Sequence, residues 1–158
     1  MEIYRQLHHA FSGEPWHGQS AMTIIDASDP SSVFTHWIPN AHSIAELVIH
    51  LTGWTEEALS RLEGKEAGDP ARGDWPPAVD EDAKSWQKIK NDFRKAHHNL
   101  IERIANIDEV TWESKTIDHR EGLDEGAADT YAELINGIVQ HLAYHAGQIA
   151  LLQKFGQL

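Results

Sequence analysis

The stretch LINGIVQHLAYHAGQIALL, residues 134–152, most constrains what this chain can become. Leu134, Ile138, Leu142, Ile149 and Leu152 recur at three-, four- and seven-residue steps, the spacing of one helix face. Thr130 and Glu133 precede them as a T-x-x-E capping box, which starts a helix by satisfying its first free amides. A helix with one such stripe must bury it against other helices. Three partners are legible. The first covers about residues 2–27, with Tyr4, Leu7, Phe11 and Ile24, and breaks near SGEP at 12–15. The second opens on the box Ser43–Glu46 and carries Ile44, Leu47, Leu51, Trp54, Ala58 and Leu62 to a stop at Gly64. The third runs from about 81 to 106, with Trp86, Ile89, Phe93, Leu100 and Ile104 on one face. The expected fold is all-α, a four-helix bundle with long inter-helix connections, in one domain spanning 1–158. Residues 64–81, rich in Gly, Pro and Asp, read as a linker. Within 107–129, TWESKTI alternates weakly and suggests an extended run without establishing a sheet.

Charge and composition remove several function classes. The formal net charge is −12, from 25 acidic and 13 basic residues. Nucleic-acid binding needs a basic footprint that displaces counterions, and the clusters such as KIKNDFRK at 88–95 alternate with acids. No nucleic-acid partner is expected. No run reaches the roughly 20 apolar residues of a membrane span, and the N-terminal residues lack a signal-peptide pattern. The expectation is a soluble, cytoplasmic chain with no membrane partner. Cysteine is absent, so a metal would have to be held by His, Asp or Glu.

His141 and His145 sit inside the apolar stripe. At about 100° per residue they fall within about 60° of Leu134, Ile138 and Leu152. Side chains at i and i+4 share a face, close enough for two imidazoles to reach one ion. Burying both without partners is costly, because each ring has nitrogens to satisfy. Two hydrogen-bonded core histidines would also meet that demand. For a third ligand, spacing does not choose among His50, His97, His17 and His8.

The closing H-x-x-x-H-x-G-Q of residues 141–148 resembles the last helix of the DinB/YfiT-like superfamily. HSIAELVIHLTGW at 42–54 is similar to that family's earlier histidine-bearing helix. FSGEPWHGQS resembles its opening, with Gln19 where Pro is usual, and DWPP at 74–77 resembles its loop. The resemblance implies a four-helix bundle, a homodimer, and one divalent metal on His50, His141 and His145. Zn or Ni is the expected ion, with Fe, Cu or Mn as alternatives. Three protein ligands leave coordination positions open, as in catalytic sites. The resemblance thus implies a metal-dependent enzyme acting on a small molecule, by hydrolysis or by S-transfer with a low-molecular-weight thiol. The alternative is a non-catalytic metal- or small-ligand-binding bundle. Around such a centre, His17 is a candidate acid/base, Trp16 and Trp54 are candidate pocket walls, and Gln148 is a candidate contact to a metal-bound water. Asp118, His119 and Arg120 are candidates for the pocket rim.

Overall fold

The structure, a computed structural model, describes residues 2–120 and 129–156. Five α-helices follow in order: α1 Glu2–Ser12, α2 Ala21–Asp26, α3 Ile44–Leu62, α4 Ala83–Ala105 and α5 Tyr131–Phe155. The four long ones, α1, α3, α4 and α5, make the all-α bundle. α3 packs on α4 and α5, and α1 packs on α5 and α4. Among the described residues, no helix is long and apolar enough to cross a membrane.

The first helical stretch of the sequence divides into two elements. Residues 13–20 are non-helical and include Pro15 and Gly18, whose φ of 128° suits glycine. Ser20 then caps α2, its hydroxyl accepting from the Thr23 amide at 3.4 Å. The short α2 therefore packs against α1 and α5 at its own angle instead of extending α1. Both capping boxes form. Ser43 Oγ accepts from the Glu46 amide while Glu46 Oε2 accepts from the Ser43 amide. Thr130 and Glu133 do the same.

TWESKTI is not one strand. Thr111–Glu113 is a single 3-10 turn, and beyond it come two isolated bridges, Lys115 with Thr130 and Glu66 with Ile117. The Ala67 amide donates to Ile117 O at 2.8 Å, so the second bridge ties the α3–α4 loop to the segment entering α5. Residues 121–128 of that segment lie outside the described residues.

The core has two apolar clusters. Phe11, Ile25, Leu51, Phe93, Leu142 and Ile149 belong to one. Leu7, Leu62, Leu100, Ile104, Trp112 and Ile135 belong to the other. The α3–α4 loop is seated on α3 at Gly53, where an added Cβ would meet Pro70 Cβ at 3.1 Å. A side chain at that position would push the loop away. That loop carries Asp74 and Trp75 to the site described below.

His97, a candidate third ligand, belongs to the core. It is fully buried, its ring stacked on Phe11 at 4.6 Å, with Nδ1 donating to Phe93 O at 3.1 Å. Burial disfavours the imidazolium and pushes its pKa from 6.5 down to about 4, against the raising effect of the Phe93 carbonyl. The unfolded chain therefore takes up a proton near pH 6.5 that the native state refuses until about pH 4. Stability from the neutral ring is complete above pH 6.5 and is lost as pH falls through that window. The loss is about 3 kcal/mol, from roughly 1.4 kcal/mol per pH unit. Urea unfolding at pH 7 and pH 4 measures it. His97→Phe, which cannot titrate, is expected to lose about 3 kcal/mol less than the wild type between the two. Equal losses would show that His97 does not titrate this way.

Candidate metal centre

α3 delivers His50, and α5 delivers His141 and His145 one turn apart. The three rings stand edge-on to one another, with centroids 4.5–4.9 Å apart. One nitrogen from each lies within 4.8 Å of the other two. His50 Nε2 and His141 Nε2 are 2.9 Å apart. His50 and His145 are buried, and His141 is half-buried. Among the described residues, no carboxylate or further imidazole joins the group.

Hydrogen-bond partners decide which nitrogens face inward. His50 Nδ1 lies 2.6 Å from the backbone oxygen of Asp74. A carbonyl only accepts, so His50 carries its proton on Nδ1 and turns the Nε2 lone pair to the centre. His145 Nδ1 likewise donates to Gln148 Oε1 at 2.6 Å, leaving its Nε2 lone pair free. Anchoring one ring nitrogen to free the other is how metal-binding histidines are oriented. Without an ion, a proton on His141 Nε2 can serve His50 but not His145 as well. The donor set fits a divalent cation: three imidazoles, convergent, two of them locked in the ligating tautomer.

Electrostatics favour the same form. Burial lowers the His141 pKa to about 4, helped by repulsion from His145 and His50. Burial also lowers that of His145, with the Gln148 bond opposing. Both rings are neutral at pH 7, and a neutral ring is what ligates.

A family model described as the DinB superfamily matches residues 7–149. The chain belongs to the DinB superfamily. No curated protein and no solved structure matches it.

In this DinB-superfamily chain the site's supports come largely from the α3–α4 loop. Asp74 holds His50 through its backbone oxygen, and its carboxylate accepts from Trp54 Nε1 at 2.8 Å. Trp75 lies flat between His42 and His50, with ring centroids 3.6 and 3.7 Å away and planes within 3°. Sequence reasoning assigned no role to Asp74, Trp75 or His42. DWPP was visible as a motif, but a backbone carbonyl and a stacking plane leave no residue-type signature. Trp75→Ala is expected to weaken zinc binding about 10-fold or more, as loss of an outer support does. Calorimetric titration checks it, and an unchanged affinity would make the stacking incidental.

Two hollows flank the three histidines. On the His145 side, a cavity of about 510 Å³ is lined mainly by apolar residues, with Gln148 and His42 among them. On the His141 side, one of about 270 Å³ is lined by Trp54, Glu57, Arg61, Asp129 and Glu133 among others. Gln148 lies in the lining of the larger hollow and Trp54 in that of the smaller.

Trp16 and His17 do not. Both are exposed, Trp16 completely, and they line a separate hollow with Glu2, Arg5, His9 and Val139 that none of the three histidines enters. The break at 13–20 turns this segment outward, so the expected acid/base role of His17 and wall role of Trp16 have no geometric basis. His8 is exposed on α1, beside Tyr4. Asp118 and Arg120 pair with each other at 2.5 Å, and the guanidinium holds the Asp118 carboxyl down at about 2. Neither they nor His119 line the two hollows beside the histidines.

Proposed function

We propose that the protein is a metal-dependent enzyme acting on a small molecule, with one divalent ion held by His50, His141 and His145. Three imidazoles suit Zn, Ni, Cu or Fe alike, and Zn or Ni is the ion we propose. The observation that carries the reading is the pair of locked tautomers, which leave the Nε2 lone pairs of His50 and His145 free in a group whose ligand atoms lie within 4.8 Å of one another. An ion bound there supplies Lewis acidity toward a water or a substrate thiol. The chain's own contribution is orientation and access. Asp74 and Gln148 set the two rings, and Trp75 packs against His50. The two hollows give a substrate room on either side. The reaction is hydrolysis, or S-transfer with a low-molecular-weight thiol as co-substrate.

The test is a panel of simple esters and amides, then electrophiles offered with such a thiol, each with metal-loaded and metal-stripped protein. Turnover that needs the metal and is abolished by His141→Ala supports the enzyme. Stoichiometric metal without turnover on either class would favour a non-catalytic binding bundle.

A further inference from the structure

We infer that the hollow beside His145 is the substrate subsite, and that it takes an uncharged aryl or alkyl group. This deepens the proposed function and rests on it for the chemistry, though not for the binding. The cavity of about 510 Å³ is within the usual range for small-molecule sites. Its walls are Ile38, Ala41, Leu47, Leu151 and Leu152, with Trp75 offering a flat face. Among the described residues, no Asp, Glu, Lys or Arg lines it, in a chain with 25 acidic and 13 basic residues. The opposite hollow, in contrast, has Glu57, Arg61, Asp129 and Glu133 in its lining.

In the metal-free protein, an anion entering the first hollow would lose its hydration with no cationic side chain among the described lining residues to replace it. The net charge of −12 repels it further. An apolar ring loses nothing comparable and gains by burial. The polar side-chain groups among the lining residues are those of His42, Tyr144, His145 and Gln148 and the indole N–H of Trp75. Gln148 Oε1 is occupied by His145 Nδ1, and the Gln148 amide nitrogen makes no hydrogen bond among the described residues. It is a donor for a neutral acceptor such as a carbonyl oxygen. The ligand class is a neutral carbonyl compound or ester with an aryl or alkyl substituent.

Calorimetry of metal-free protein with 1-naphthol and with 1-naphthoate tests the hollow without any coordination by zinc. The naphthol is expected to bind at least tenfold more tightly than the carboxylate. Leu151 is 54% exposed, so Leu151→Glu places a charge on the rim at little risk to folding. It is expected to weaken naphthol binding at least tenfold, and Tyr144→Glu, on the same rim, to act similarly. Naphthoate binding as tightly as naphthol, or naphthol indifferent to both variants, would overturn the proposal. So would naphthol binding lost as protein concentration rises, which would assign the rim to a second copy of the chain. Zinc titrated separately keeps the two readings apart. Naphthol bound by a protein that takes no zinc would sink the metal centre and support the hollow. Zinc bound without naphthol would do the reverse.

Discussion

His145→Ala is expected to lower zinc affinity by more than about 100-fold while the bundle stays folded. Loss of an outer partner alone costs 10- to 100-fold at such sites, and a direct ligand costs more. His145 offers an Nε2 lone pair that no other group replaces, because no further imidazole or carboxylate joins the cluster among the described residues. His50→Ala and His141→Ala are expected to behave alike. His97→Phe is the control: it removes a histidine from the core and leaves all three donors in place. Elemental analysis of protein purified without a histidine tag gives the stoichiometry. Calorimetry gives the affinities, and far-UV circular dichroism shows whether the helices persist. Affinity retained in His145→Ala but lost in His97→Phe would refute the assignment. Wild type that takes up neither Zn nor Ni at neutral pH would refute the metal centre altogether.

Glu57→Ala is expected to destabilise the fold by about 3–5 kcal/mol, the penalty of leaving one buried charge unpaired. Glu57 and Arg61 lie one turn apart on α3, 7% and 5% exposed, with Arg61 Nε donating to Glu57 Oε2 at 2.6 Å. Glu57 Oε1 also accepts from the Gly68 amide at 2.8 Å, so the pair anchors the α3–α4 loop as well as neutralising itself. Removing Glu57 strands a guanidinium and frees the loop that positions Asp74 and Trp75. Zinc affinity should therefore weaken along with stability. The double change Glu57→Gln with Arg61→Met should recover much of the loss, because it leaves no buried ion behind. Urea unfolding of the three proteins decides the matter. A single variant within about 1 kcal/mol of wild type would mean the pair is effectively solvated.

The helices were legible because their signals are local. The Ser43–Glu46 and Thr130–Glu133 boxes act within one turn, and the stripes of α3, α4 and α5 follow from 3.6-residue periodicity. The division of α1 from α2 was only half legible. Pro15 marks a break, but how far the interruption runs depends on where Ser20 can cap the next turn against α5. Among the histidines, sequence placed His141 and His145 on one face and stopped there. His50 and His97 were both candidates for the third ligand, and spacing within a helix carries no information about which neighbour a face meets. The resemblance named His50, and packing brought it 2.9 Å from His141 while burying His97 against Phe11.

What the sequence determined by itself was an all-α chain whose closing helix puts two imidazoles on its buried stripe. Periodicity and capping are properties of neighbours along the chain. The tertiary structure alone decided the rest: that His50 meets them, that Asp74 O and Gln148 Oε1 turn two lone pairs inward, that Trp75 lies against His50, and that Trp16 and His17 face elsewhere. Each of those contacts except Gln148 with His145 joins different elements. Distance between elements is set by which apolar faces pack together, and only the folded chain specifies that.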